Sequence, residues 1–339
     1  MNVIFFGASV TQQGFNHKTN ENVGYITWLK ELIKEEGLEI TINSIAAGGA
    51  HFDGAGYVLL SKVLKKKPDI LFIDWHSTWL DKFSPLLWNS FLSNIVDQNI
   101  HLVIAILPIA EVYDSEKKRE NHLQAEEVAC ESIHLLDGYK FKGFSPKIHL
   151  RDNYHTTKEG GKLYASNFLN YLKLFLEKKN IFNGGPKTYQ YSFYVPLSKR
   201  PLVDLWEFNS GKYIKAKKMK IKYEIEATNP FLELIMELHI GPDSPVLDLK
   251  PACIMYGGEI KDKFSIWDPW CHFSRVSYKS FTLNKYEDIL EIDISDQLPD
   301  YTKCLNTEFN FSEIIKQDKY IWIRNIYIIG GKFKEIEWS

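Results

Sequence analysis

Through its first 180 residues the chain repeats one unit: a short, uninterrupted apolar run, then a stretch with apolar residues at helical spacing. A strand that is apolar on both sides must be covered on both, and parallel neighbours are joined by crossover helices. This alternation therefore dictates a parallel sheet between two helical layers. NVIFF (2–6) is a buried-strand pattern, and Tyr25, Leu29, Leu32 and Ile33 form a helical stripe that Gly37 is placed to terminate. LEITINSI (38–45) reads as strand, 54–66 as helix, DILFIDW (69–75) as a fully buried strand, and Leu86, Leu87, Phe91 and Ile95 as the next stripe. HLVIAIL (101–107) is a strand stopped by Pro108, 114–131 fits a polar helix, and IHLLD (133–137) is a short strand. Tyr164, Phe168, Leu172 and Phe175 set a last helix at 157–178.

Near residue 180 the period changes. IFNGGPKTYQ has the glycines and proline of a linker, and from about 189 apolar and polar residues alternate at period two, as in KMKIKYEIEA, ELIMELHI and YIWIRNIYIIG. Turns such as GPDSP and YGG punctuate these runs, so the second part reads as an antiparallel, jelly-roll-like β-sandwich. The expected domains are 1–180 and 189–339, and a length of 339 residues accommodates both.

Charged residues make up 25% of the chain and hydrophobic ones 45%, which excludes a disordered or collagen-like chain. A net charge of −2 argues against a nucleic-acid partner. MNVIFF runs straight into the first strand pattern, so no signal peptide is expected, and no apolar run is long enough to span a bilayer. Cys130, Cys253, Cys271 and Cys304 have no paired spacing and suit reduced thiols in a cytoplasm rather than a disulfide framework or a zinc site.

In a parallel sheet, ligands gather beyond the carboxyl ends of the strands. Ser9 follows the first strand, Gly48 the second, and His76 to Thr78 the third, all on one edge. In FFGASVTQQG the small residues Gly7 and Ala8 let the chain turn tightly, leaving Ser9 either as an exposed nucleophile or as part of an ordinary strand-to-helix turn. In RDNYHTTKEGG, Asp152 and His155 stand three residues apart, just before the last helix, with Thr156 and Glu159 spaced as a capping box. Asp152 is placed to orient the imidazole, and His155 to serve Ser9 as general base and then protonate the leaving group. The bland alternative is that both satisfy loop backbone groups.

Over residues 1–178 this arrangement resembles the SGNH (GDSL-type) hydrolases. The resemblance implies a flavodoxin-like α/β/α sandwich, Ser9 as nucleophile, Asp152 and His155 completing a triad, and an oxyanion hole from the Ser9 and Gly48 N–H groups, with Gly49 the fallback. No cofactor and no metal are expected. GAS replaces the usual Gly-Asp-Ser. The third block departs further, because Thr78 stands where the family has an oxyanion-hole asparagine, leaving Thr78 or His76 as the donor, or a slow or inactive site.

Asp74 and His76 flank Trp75 without a third ligand at metal spacing, so they read as supporting the site or touching substrate. His51 and Asp53 line the pocket or cap the next helix, and Trp75 and Trp79 form an apolar wall or core. Trp267, Trp270, Phe273 and Tyr278 form either a sugar-stacking surface or sandwich core. The resulting expectation is a serine esterase that removes a small acyl group, acetyl first, from a small-molecule or oligosaccharide ester. The alternatives are a carbohydrate O-acyltransferase using the same site, and a carbohydrate-binding protein on a degenerate scaffold. The departure in the third block yields a test. If Thr78 occupies the oxyanion hole, Thr78→Asn is expected to raise ester turnover, and an unchanged or lower rate assigns the donor elsewhere.

Overall fold

Both faces of the first strand are apolar, and the fold follows from covering each. In β1 (Asn2–Gly7), Val3 and Phe5 point to one side and Ile4 and Phe6 to the other, and all four are buried. β1 lies in parallel between β2 (Thr41–Ala46) and β3 (Ile70–Ile73), and β4 (His101–Ile106) and β5 (Ile133–Asp137) extend the sheet in the order β2-β1-β3-β4-β5. This is the flavodoxin-like order, in which the chain reverses its direction of travel across the sheet between β1 and β3. In open sheets of this order, ligands bind beyond the carboxyl ends of the two strands at the reversal.

The computed structural model describes residues 1–16, 21–75, 85–98, 100–113, 133–179, 203–208, 213–226, 232–240, 251–256, 259–265, 275–283, 286–294 and 321–339. The expected helix at 114–131, the segment 76–84 and the aromatic cluster at Trp267, Trp270 and Phe273 lie outside them. The chain divides into two compact units, Met1–Val195 and Pro196–Ser339.

The strands of the first unit are accompanied by α1 (Ser9–Gln12), α2 (Tyr25–Glu35), α3 (Tyr57–Lys65), α4 (Pro85–Val96) and α5 (Lys158–Lys179). α2 and α5 cover one face, where Val3, Phe5, Ile70, Phe72 and Val103 share a core with Tyr25, Leu29, Ile33, Tyr164, Phe168 and Leu172. Phe168 stacks on Tyr25 at 5.0 Å and meets Phe5 and Phe72 edge-on at 4.9 and 5.1 Å. On the other face Phe6 packs against Trp75 and Phe91, with Tyr57 of α3 and Trp88 of α4 closing around Phe91. α2 ends as expected at Gly37, whose φ of 64° is the left-handed conformation of a helix stop. Leu38 N–H returns to Ile33 O, which delays the following strand to Thr41. α3 is entered through a π turn, Phe52–Gly56, in which His51 O accepts from both Gly54 and Gly56 N–H.

In the second unit every strand pairing among the described residues is antiparallel. One sheet runs β11-β10-β13-β8-β15, from β8 (Lys218–Ile225), β10 (Pro251–Tyr256), β11 (Glu259–Ser265), β13 (Ile289–Ile294) and β15 (Gly331–Trp338). The other runs β12-β9-β14-β6, from β6 (Val203–Glu207), β9 (Glu233–Ile240), β12 (Arg275–Thr282) and β14 (Ile321–Ile329), with the short β7 (Ile214–Ala216) also pairing with β14. Their inner faces share a core. Met219, Ile221, Leu290, Ile292 and Phe333 from the first sheet meet Leu234, Met236, Leu238, Ile326 and Ile328 from the second, which makes a sandwich.

Phe168→Ala is expected to cost about 3–5 kcal/mol in denaturant unfolding of the first unit, because three packed rings, those of Phe5, Tyr25 and Phe72, lose their common neighbour. Leu174→Ala, on the same helix but 53% exposed, is expected to stay within about 0.5 kcal/mol of the parent.

Candidate active site

The turn after β1 is held by a carboxylate from another strand. Ala8 is the N-cap residue of α1 and has no side chain able to cap it. Asp74, immediately after β3 and 2% exposed, fills that role from 66 residues away in sequence: its Oδ1 accepts from Ala8 N–H at 3.0 Å. The Thr11 hydroxyl donates to Asp74 Oδ2 and lies 2.5 Å from the Tyr25 hydroxyl. The approach is so close that a Cβ at Gly7 would coincide with Asp74 Oδ1, so the glycine before Ala8 is required sterically. Burial pushes the Asp74 carboxyl up to about 7, against the pull of the Thr11 hydroxyl and of the Ala8 and Thr11 backbone N–H groups. Burial, and then the Asp74 charge, push the Tyr25 phenol up as well.

Ser9 opens α1 on this braced turn and is partly buried. Ala47 N–H bonds Gly7 O at 3.1 Å, which carries the Gly48–Gly49 turn alongside. A methyl group placed on Gly48 would lie 3.6 Å from Ser9 Cβ. The Gly48 N–H, the sequence's candidate oxyanion donor, bonds the Gln12 side-chain oxygen at 2.5 Å.

Asp152 and His155 form a pair within one loop. His155 Nδ1 lies 3.0 and 2.9 Å from the two Asp152 oxygens, and Oδ1 also accepts from the Tyr154 and His155 N–H groups at 2.9 and 2.7 Å. Burial alone would raise the Asp152 carboxyl, but the hydrogen bonds from the His155 ring and from these N–H groups outweigh it and hold it at about 2. An ionised carboxylate only accepts, so His155 Nδ1 donates to it, and Nε2 is the ring nitrogen left outside the pair.

The loop is pinned at the carboxyl edge of the sheet. Leu150 bridges to Thr156, Arg151 N–H bonds His155 O at 2.8 Å, and Ala110 N–H, beyond β4, bonds Asn153 O at 2.9 Å. Gln13, directly after α1, donates its side-chain N–H to Thr156 Oγ1, so the serine-bearing and histidine-bearing segments are tied one residue beyond the serine helix and one beyond the imidazole. Among the described residues, neither Ser9 Oγ nor His155 Nε2 makes a hydrogen bond.

Four other expectations are sharpened or corrected. The capping box at Thr156 and Glu159 is not used. Thr156 Oγ1 donates to Val23 O at 2.7 Å, and it is Thr157 Oγ1 that accepts from Gly160 N–H at 3.1 Å and caps α5. The reason is the Leu150 bridge, which holds Thr156 in an extended pairing and leaves the next threonine to start the helix. Trp75 is fully buried edge-on to Phe6, so it belongs to the core and not to a substrate wall. His51 is exposed and caps the π turn through its carbonyl and not its ring, and Asp53 lies within that turn. His76, Thr78 and Trp79 lie outside the described residues. Tyr278 sits on β12 opposite the buried Glu237 of β9 and hydrogen-bonds it, so it belongs to a polar cluster on that sheet. Among the described residues no group of three His, Cys, Asp or Glu side chains is arranged to hold a metal, and no helix is long and apolar enough to cross a membrane. Thr11, Gln12, Gln13 and Tyr25 escaped the sequence reading as parts of the site. The only local signal was the spacing of Gln12, one helical turn after Ser9.

No family model and no curated protein matches the chain. Among solved structures it is similar to a two-domain esterase (CEX) active on acetylated mannans, at 10% identity and a TM-score of 0.59 over 100% of this chain and 92% of that one. The same esterase co-crystallized with mannopentaose aligns at 12% identity and a TM-score of 0.60, over 99% of this chain and 91% of that one. An acetyl xylan esterase, AlAXEase, aligns with 51% of this chain and 100% of its own at 21% identity and a TM-score of 0.41. At such identities the likeness to the two-domain esterase is one of fold. The parallel α/β/α sheet followed by an antiparallel β-sandwich is the fold class expected from the sequence.

Two outcomes follow from the Asp74 anchor. Gly7→Ala is expected to destabilise the first unit by about 3 kcal/mol or more, a fall in Tm of roughly 6–12 °C, since neither the turn nor the buried carboxylate has room to move. Asp74 has a folded-state pKa above its unfolded value, so the folded form binds the extra proton. Its contribution to stability is full at low pH and declines as pH rises from about 4 to about 7. In denaturant titrations across that window, wild type is expected to lose stability relative to Asp74→Asn as pH rises, and a constant difference would show that Asp74 titrates normally. Asp152 runs oppositely: its contribution is present above about pH 4 and lost as pH falls towards 2.

Proposed function

We propose that the protein is a serine esterase that removes a small acyl group, acetyl first, from a carbohydrate. The observation that carries this reading is the Asp152–His155 pair, held with Nε2 left outside it on a loop tied through Gln13 and Thr156 to the serine turn. In this mechanism His155 Nε2 takes the Ser9 hydroxyl proton as Oγ attacks the ester carbonyl. The Gly48 N–H, together with the Ser9 N–H, receives the developing oxyanion, and His155 returns the proton to the departing sugar oxygen. Water, activated by the same imidazole, then resolves the acyl-enzyme. Asp152 keeps the tautomer and stabilises the imidazolium without itself taking the proton. The carbohydrate class is supported by the fold shared with an esterase active on acetylated mannans.

Turnover of p-nitrophenyl acetate, with intact-mass detection of a fluorophosphonate adduct, tests the reading. Wild type is expected to show both; Ser9→Ala is expected to lose the adduct and at least about 1000-fold of turnover, and Asp152→Asn on the order of 100- to 10,000-fold. Absence of turnover and adduct in wild type sinks the proposal. Release of acetate from acetylated manno-oligosaccharides addresses the substrate class, and transfer to an added sugar acceptor in place of water would reassign the protein as an acyltransferase.

A further inference from the structure

Gln12 is exposed, yet its side chain is not turned to solvent. One helical turn after Ser9, it lies on the same side of α1, and its Oε1 accepts from Gly48 N–H. A Cβ on Gly48 would overlap that oxygen and approach Ser9 Cβ at 3.6 Å, so the carboxamide oxygen and the serine turn both adjoin the candidate oxyanion donor. Gln13, the adjacent glutamine, is committed to Thr156 and takes no part. A carboxamide C=O is the same kind of acceptor as an ester C=O, with its oxygen in the plane of the carbonyl and aimed at an N–H. We propose that the Gln12 carboxamide is the resting occupant of the acyl-oxygen site, held on the Gly48 N–H until an ester carbonyl displaces it.

This deepens the esterase reading and rests on it. An oxyanion donor stabilises the transition state only when it is free to meet the developing charge. Self-occupancy makes the competent form a fraction of the whole, and the apparent affinity for any ester falls by that fraction. One ordinary hydrogen bond exchanged against water, on a side chain that loses rotamer freedom to form it, corresponds to roughly a 3- to 10-fold effect. Because the competition lies within the protein, the factor is the same for small and large esters. It acts on KM and leaves kcat unchanged, since at saturation the side chain is already displaced. Gln12 is thus a built-in competitor, tuned by the strength of one contact.

The experiment compares wild type, Gln12→Ala and Gln12→Glu. Gln12→Ala is expected to raise kcat/KM about 3- to 10-fold through KM, by the same factor for p-nitrophenyl acetate and for an acetylated manno-oligosaccharide, and to speed fluorophosphonate labelling of Ser9 to match. Gln12→Glu puts a carboxylate on the same N–H, which makes a stronger acceptor, and is expected to slow labelling below wild type. A fall in kcat for Gln12→Ala overturns the proposal, because it would make the carboxamide an oxyanion donor; unchanged kinetics overturn it too. A readout independent of turnover is the Gly48 amide resonance, which is expected to move upfield and exchange faster with solvent in Gln12→Ala. An unmoved amide rejects the contact itself, whatever the activity. If the amide moves while neither protein turns over ester or takes the phosphonate, the contact stands, but the esterase reading fails and the competitor role fails with it.

Discussion

Everything at the candidate site hangs from the buried Asp74 carboxylate. It joins the end of β3 to the first turn after β1, the two strands between which the sheet order reverses. Burying a carboxylate is costly unless every lone pair is met. Here the partners are the backbone N–H groups that a helix start leaves unsatisfied and a hydroxyl one turn on. The Thr11–Tyr25 hydroxyl pair can reverse the direction of its hydrogen bonds as Asp74 gains or loses a proton, so either charge state leaves the chain of contacts intact. Gly7 is the other half of this arrangement, because it makes the space the carboxylate fills.

From that anchor two consecutive glutamines reach in different directions. Gln12 meets Gly48 on the side where β2 ends, and Gln13 meets Thr156 on the side of the histidine loop. The short segment from Ser9 to Gln13 therefore contacts both neighbours, and small shifts in it would be felt by the Gly48 turn and the His155 loop alike. The aromatic packing beneath, with Phe5, Phe72, Tyr25 and Phe168 in mutual contact, gives that short helix a stiff floor.

The sheet was legible in the sequence because its signal is local. IHLLD pairs along 133–137 as read, and HLVIAIL loses only its last residue before Pro108. The read start of β2 at 38 was early because Leu38 is taken up by the cap of α2, a contest between neighbours that periodicity does not register. Ser9, Asp152 and His155 stand out from spacing and turn chemistry, whereas a role for Gly48 comes only from the family resemblance. The partnership of Asp74 with Ala8 and Thr11 spans more than 60 residues and leaves no trace in the linear order. The choice between Thr156 and Thr157 as helix cap was equally hidden. Both have the right chemistry, and the bridge to Leu150 decides between them.

The loop from Leu150 to Thr156 closes on itself: its ends pair across a bridge, and Arg151 and His155 bond inside it. Acid and imidazole therefore travel as a preassembled cassette, and their mutual alignment does not depend on how that cassette docks. The same loop is also fastened from outside, through Asn153 to Ala110 and through Thr156 to Gln13 and Val23. Carrying the pair to a new position would mean remaking those outer ties while the bonds inside the loop stay as they are.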